Sequence, residues 1–431
     1  MRLPRVLSEP RARRVGQRVE RLAGSPGRGT IAHQREYGLI VAAVFALVAF
    51  GVVMVYSASA ARSGFALPAR TLLIGILLGV PACMIARRLP LTEIRRFSPQ
   101  LMGLAIVLLI AVLIPGLGQS INGARRWLDL GPVSFQASEV AKVAIVLYLA
   151  DRLLRFPESM GSIPETIRMT MMPLLVCVGL VAVEPDMGTA IVCLVTGLVI
   201  FWLAGTPRQV LWPLVGGMAL VGLVFALSNA ERASRLTAFL RPGADPLGAG
   251  FQSLQGQIAI GSGGVTGVGP GQSVQKVFYL PEAHTDFILA VIGEELGLIA
   301  LLGLLAVFGI LMWAGLRVSV LAGDPYAKLI AAGMTALITC QALLNICVVL
   351  GIAPLTGVPL PFISFGPTNL VVLLSAVGIL LNVAANGGLP VRAVDGGRGG
   401  RADERSEDPR GGRGYGGTRR PGPERRRETA G

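Results

Sequence analysis

Apolar residues in this chain come in long unbroken blocks rather than in alternation or in helical stripes. Ten such runs stand out, at roughly 38–60, 71–87, 101–117, 138–153, 169–183, 187–205, 209–228, 286–316, 327–352 and 369–387. Blocks near 20 residues suit an α-helix, which rises ~1.5 Å per residue and must cross ~30 Å of hydrocarbon. A helix that is apolar on every side is built for surroundings other than water. The pattern predicts an all-α polytopic integral membrane protein with ten transmembrane helices. The fifth and sixth runs are parted only by Glu184, Pro185 and Asp186 and read as a tight hairpin, with Pro185 at the break. The first run is expected to be a span rather than a cleavable signal peptide, because it is too long and no small-residue cleavage site follows it.

Composition agrees. Of 431 residues, 52% are hydrophobic and only 15% charged, against about 25% charged in ordinary soluble domains. Two histidines, His33 and His284, rule out a histidine-based metal cluster. All five cysteines fall inside apolar blocks without CxxC spacing and read as small core hydrophobes. No GxxxxGK[ST] or GxGxxG string occurs, which argues against nucleotide-driven transport. The net charge of +14 gathers in the ends. Residues 1–37 and 391–431 are rich in Arg with little to bury, so they are expected to be disordered tails flanking a membrane domain at 38–390. Counting Lys and Arg in alternate connections gives 30 on the side of the termini and eight on the other, so both termini are expected to be cytoplasmic. Anionic lipid is then the expected partner of the tails, and nucleic acid is disfavoured.

Function should lie where the chain leaves the apolar pattern, because an ionisable residue at membrane depth costs ~2.5–3.5 kcal/mol even on insertion scales. Four departures matter: 122–142, 184–189, 229–286 and 354–369. By parity of the spans all four share the outer side, which predicts a single site there. In the first, Arg125 and Arg126 precede Glu139 and Lys142, which are three apart and share a helical face. That pair reads either as an internal ion pair or as part of a site. The adjacent arginines favour a phosphorylated or pyrophosphorylated ligand, since guanidinium groups pair bidentately with phosphate. The 57-residue outer loop at 229–285 is too long for a passive link. Within it Phe251, Leu254 and Ile258 recur at helical spacing and predict an amphipathic interface helix. The stretch from Gly261 to Gly271 fits a flexible turn and close backbone packing on a ligand equally well. Asp286, where the loop enters the eighth span, suits a general base as well as a helix N-cap.

The strings MVYSASA (54–60), NGARRWLDLGPVSFQASEVAK, EPDMGTA, GQSVQKVFYLPEAHTDFILAVIGEELG (271–297) and GVPLPFISFG (357–366) resemble the SEDS family, whose members include FtsW, RodA and SpoVE. The likeness covers residues 38–387, with the motifs in family order. It implies a SEDS-type bundle and a peptidoglycan glycosyltransferase that polymerises lipid II at the outer face of the bacterial cytoplasmic membrane. The implied partners are a class B penicillin-binding protein and other divisome or elongasome proteins. The family's essential aspartate in HTDF falls on Asp286, which favours catalysis over capping.

The residues then take roles. Asp286 would accept the proton of the attacking sugar hydroxyl in a single inverting displacement. The pyrophosphate is already a good leaving group and needs its charge neutralised rather than a second carboxylic acid. Candidate contacts to substrate and pyrophosphate are Arg125, Arg126, Glu139, Lys142, Arg232, Arg235, His284 and Ser364. A divalent cation, Mg2+ or Mn2+, is a candidate cofactor with ligands unassigned, and no organic cofactor is expected. The motifs lie nearer the division branch than the elongation branch. Against that branch, PLTGVPLP lacks a lysine many division members carry near Thr356, and Pro367, Thr368 and Asn369 replace the usual small residues after ISFG. A lipid II flippase and a noncatalytic divisome scaffold are the alternatives of other classes.

Overall fold

The structure, a computed structural model, describes residues 29–59, 66–121, 124–129, 134–241, 248 and 250–386. Of the N-terminal tail expected at 1–37, residues 1–28 lie outside the described residues and 29–37 are helical, the start of the first helix; the tail expected at 391–431 lies outside the described residues. Ten long helices correspond to the ten apolar runs. They are α1 (Gly29–Ser59), α2 (Ala66–Arg88), α3 (Leu91–Leu113), α4 (Ala137–Arg155), α5 (Ile163–Val183), α6 (Met187–Leu203) and α7 (Arg208–Leu227), followed by three more after the long loop. That loop contributes α8 (Ala230–Leu240), α9 (Phe251–Gly263) and the single turn α10 (Gln275–Phe278). The last three long helices are α11 (Ile288–Leu321), α12 (Pro325–Val349) and α13 (Pro367–Asn386).

Seven of the ten, α1, α3, α5, α7, α11, α12 and α13, are long and apolar enough to cross a membrane by length and composition. Of the others, α6 has only 17 residues, and α4 carries Glu139, Lys142, Asp151, Arg152 and Arg155. Those charges are tolerable because α4 is wrapped by its neighbours: nearly every side chain on it is buried. α12 and α13 share this enclosed centre, whereas α7 buries only Val210, Leu211 and Leu214. α2 lies along α13, where Gly378 admits the backbone of Cys83 and Asn382 donates to Ala86 O at 3.0 Å.

Three departures from the expected map have physical causes. First, α1 and α3 begin earlier than their apolar runs. α3 takes in Arg95 because Asp151 of α4 accepts its Nε at 2.7 Å, and Glu36 of α1 is buried 3.7 Å from Arg317. A run counted by hydropathy stops at charges that pairing has already neutralised. Second, the fold is not wholly helical. β1 (Gly118–Ile121), β2 (Ala124–Asp129) and β3 (Ser134–Gln136) form a small antiparallel sheet in the order β1-β2-β3. The ladder closes with Ile121 opposite Ala124.

Third, a helix does form where one was expected, as α9, but its packed face is Gly256, Ala259 and Gly263 rather than Phe251, Leu254 and Ile258. Ile258 is exposed, and a Cβ on Gly256 would meet the Phe287 ring 2.6 Å away. The small residues let α9 press its backbone onto the start of α11. In the glycine stretch that follows, Gly263 and Gly267 lie against the backbone of Gly293 and Glu295.

Candidate functional site

Residues from all four polar segments line one cavity of about 480 Å³ at the sheet end of the bundle. The sheet segment supplies Arg126, Trp127, Ser134 and Gln136, and the α5–α6 hairpin supplies Asp186 and Thr189. Glu282, His284, Thr285 and Asp286 come from the end of the long loop, and Gly357, Pro359, Phe365, Gly366, Pro367 and Asn369 from the connection before α13. The shared face inferred from span parity thus takes the form of a single chamber.

Asp286 stands one residue before Phe287, the N-cap of α11, so it does not cap the helix itself. Its carboxylate is held by Thr285 Oγ1 at 3.2 Å, and the same hydroxyl lies 2.9 Å from Glu282 Oε2. Asn345 Nδ2 on α12 donates to the Asp286 carbonyl at 2.7 Å and to Val358 O at 2.8 Å, tying the aspartate's backbone to the facing wall. Gly357 takes φ 69°, a conformation open to glycine, and a Cβ there would lie 3.9 Å from Asp286 Oδ2. Burial pushes the Asp286 carboxyl up to about 7. Its own backbone N–H pulls the other way, Glu282's charge adds to the rise, and Thr285 and Arg126 oppose it. A carboxyl poised there exchanges protons readily at neutral pH.

Arg126 brings positive charge to the same chamber, and its Nε has no hydrogen-bond partner among the described residues. Beside it Asp186 caps α6 by accepting from Thr189 N at 3.1 Å and takes Gln136 Nε2 at 2.9 Å. Glu184 is fully buried and, among the described residues, neither of its carboxylate oxygens has a hydrogen-bond partner. Burial, then the charge of Asp186, raises it to about 8 against the pull of Arg126. Glu184 is therefore mostly neutral at pH 7.

Of the nine residues singled out from sequence, Asp286, Arg126 and His284 line the cavity. His284 packs its ring 5.5 Å from that of Phe365. Glu139 and Lys142 form a buried ion pair of 2.7 Å just behind the wall. Lys142 Nζ also reaches Gln341 Oε1 at 2.7 Å and Asn369 Oδ1 at 3.5 Å, and Asn369 faces the chamber. The remaining four stand elsewhere. Arg125 is exposed and does not line the cavity, because neighbours on a strand point to opposite faces. Arg232 lies on α8 with its guanidinium 3.9 Å over the Phe225 ring, and Arg235, on the same helix, is likewise absent from the lining. Ser364 is committed to its own turn, accepting Leu360 N at 2.7 Å.

Gln136, Asp186, Glu282, Gln341, Asn345 and Asn369 are additions. Glu282 sits in the quoted PEAHTD string and Asp186 in EPDMGT. Gln341 and Asn345 lie four apart within an apolar run, a spacing that puts two amides on one helix face. Among the described residues no three His, Cys, Asp or Glu side chains gather closely enough to hold a metal ion.

A membrane-type helical bundle with a buried acid and an arginine in one polar chamber defines a class of protein that does chemistry at a membrane face. Comparison with known proteins narrows the class. The FtsW/RodA/SpoVE family, described as cell cycle proteins, matches residues 37–387. A probable peptidoglycan glycosyltransferase FtsW from Trichlorobacter lovleyi is 38% identical over 81% of this chain and 93% of its own length. Stage V sporulation protein E of Bacillus subtilis is also 38% identical, over 80% and 96%. Among solved structures, a chain from a peptidoglycan synthase complex that coordinates polymerization and crosslinking superposes with a TM-score of 0.66. It is 28% identical and the match covers 80% of this chain and 96% of that one. Thermus thermophilus RodA superposes at 0.58 with 27% identity, covering 80% and 95%. The chain belongs to the FtsW/RodA/SpoVE (SEDS) family.

Proposed function

We propose that this chain is a peptidoglycan glycosyltransferase that joins lipid II units into glycan strands, with Asp286 as its general base. The observation that carries the assignment is a buried carboxyl, held by one long side-chain hydrogen bond from Thr285 and facing a chamber shared with Arg126. In the proposed step the acceptor's sugar hydroxyl gives its proton to Asp286 as the oxygen forms a bond to the donor's anomeric carbon. The bond from that carbon to undecaprenyl pyrophosphate breaks, with inversion, and the departing diphosphate keeps the electron pair. Arg126 meets the charge that develops on it. Lys142 acts at one remove, holding Asn369 at the wall. A divalent cation, where one takes part, would arrive on the diphosphate and use Asp186 or Glu282 as a single carboxylate ligand, a common mode for Mg2+.

The cavity end is assigned to the outer face of the cytoplasmic membrane and both termini to the inside, on the Lys/Arg asymmetry of the connections. Relatives named FtsW and stage V sporulation protein E support a septal or sporulation role over elongation. The likeness to a synthase complex supports a class B penicillin-binding protein as partner. The test uses purified full-length protein with that partner and labelled lipid II. Wild type should make glycan chains and Asp286→Asn should not. Equal polymer from both would remove Asp286 from the mechanism, and lipid transfer across vesicles without polymer would point to a flippase.

A further inference from the structure

α11 is two rods rather than one. At Gly297 the backbone leaves the helical region (φ 70°, ψ −169°), separating residues 288–296 from 298–321. A break of this kind strips carbonyls before it and N–H groups after it of their helical partners. The long loop replaces them. Val268 and Gly269 donate to the carbonyls of Glu294 and Glu295 at 2.9 and 3.0 Å, and Leu298 and Ile299 donate to Gly264 and Val265 at 3.0 and 3.2 Å.

This backbone clasp has little to define its register, because much of the strip that makes it is glycine and lacks side chains to seat. The side chains beside it supply what is missing. Glu295, 1% exposed, accepts Lys276 Nζ at 2.6 Å, and both of its oxygens lie 2.8 Å from Ser57 Oγ on α1. Lys276, 5% exposed, also donates to Gly271 O at 2.9 Å and to Ser57 Oγ at 3.1 Å. Glu294 accepts the Ser273 hydroxyl and the N–H groups of Val274, at 3.0 Å, and Gln275, at 3.4 Å. None of these residues lines the chamber.

We propose that Lys276 and Glu295 are positioning residues for Asp286. Their buried pair, shared with Ser57, locks the loop into the break of α11 and sets where the half-helix 288–296 stands. That half-helix begins two residues beyond Asp286, and its far end carries Glu294 and Glu295. At ~1.5 Å per residue the two ends are roughly 13 Å apart, joined by one rigid rod. Replacing a buried pair by apolar groups is often neutral for stability, so its best-attested use is to fix register. An error of ~1 Å at a reacting group can lower the rate about 100-fold.

The inference rests on Asp286 being the base. Its test uses the full chain with a class B penicillin-binding protein and labelled lipid II. Lys276→Met/Glu295→Leu removes both charges without leaving one orphaned. The expected result is a folded protein with KM within about two-fold of wild type, kcat at least ten-fold lower, and faster amide exchange across 264–276 and 288–296. Ser57→Ala, a gentler change, should lower kcat about two- to three-fold at unchanged KM, and Lys276→Arg should retain most of it. Wild-type kcat in the double variant, or unchanged exchange over 288–296, would overturn the lock. Should the double variant not fold, the kcat of Ser57→Ala and its exchange over 288–296 decide the matter in the same way. Asp286→Asn run alongside separates the two ideas: polymer from that variant would sink the base assignment, leaving exchange to judge the lock.

Discussion

Two buried aspartates stand at opposite ends of the bundle, and their surroundings differ in one respect. Asp151, at the far end of α4, is 1% exposed, and its Oδ1 accepts both Arg95 Nε at 2.7 Å and Arg155 Nε at 2.8 Å. Asp286 is 8% exposed, and the side-chain hydrogen bond to its carboxylate among the described residues is a long one from Thr285. Both carboxylates have been taken out of water. One has been repaid with two guanidinium groups, while the other faces a chamber. Burial alone therefore does not mark a reacting group: a saturated carboxylate holds helices together, and an unsaturated one beside a cavity is available to a substrate.

The contrast predicts opposite signatures for two isosteric changes. Asp286→Asn should lower glycan synthesis from lipid II by about 10²–10⁴-fold, the usual contribution of a general base. It should also stabilise the protein at pH 8. Burial raises the folded-state carboxyl from 3.8 to about 7, so the folded protein binds a proton more tightly than the unfolded chain. Stability therefore falls as pH rises between those values and stays low above them. Removing the charge should recover a few kcal/mol, read as a higher Tm in detergent at pH 8 and little change at pH 4. Asp151→Asn should do the reverse. Weakening both arginine contacts should cost about 3–5 kcal/mol while leaving kcat per folded molecule unchanged. Loss of activity without loss of fold in Asp151→Asn would break the comparison.

The same titration sets the pH profile. Asp286 must be ionised to accept a proton, so kcat/KM should rise through a midpoint near 7 and level off above it. Lowering Arg126's charge with Arg126→Gln should move that midpoint upward, since Arg126 favours the ionised form. A profile flat from pH 5 to 8 would show that another group takes the proton.

Much of this was legible in the chain. Ten apolar runs became ten helices, and the four polar departures met in one chamber, because a span's length and parity leave little freedom in where its ends emerge. Distance along the chain and charge were poorer guides to individual contacts. Arg125 and Arg126 are indistinguishable by composition, yet one step along a strand separates a cavity wall from solvent. Arg232 and Arg235 lie in the right loop but on α8. Gln341 and Asn345 were invisible for the opposite reason: hydropathy averages them into their run, and their role depends on Lys142, Asp286, Pro359 and Asn369 arriving from three other segments. The break at Gly297 likewise hides within an apolar run, signalled only by a glycine whose meaning comes from the backbone packed against it.

Glu184 offers the finest test of the distinction between saturated and unsaturated carboxylates. It is buried as completely as Asp151, has no hydrogen-bond partner for either oxygen among the described residues, and yet does not line the chamber. A carboxylate in that position would carry a large desolvation cost, and the molecule avoids it by holding the proton, with burial raising the group to about 8. Glutamine has the same shape and no charge. At pH 4 Glu184→Gln should therefore change stability by less than about 1 kcal/mol, and at pH 7 it should leave glycan synthesis within about two-fold. Because the unfolded carboxyl ionises near 4.5 and the folded one only at about 8, wild-type stability falls as pH rises between those values and stays low above them, so the variant should become the more stable of the two across that window, by a few kcal/mol at pH 8. Melting curves across that range decide it. A drop of more than about 2 kcal/mol at pH 7 would mean that Glu184 is charged in the folded protein, paired with Arg126, and that the chamber's positive charge is already partly spoken for before any diphosphate enters.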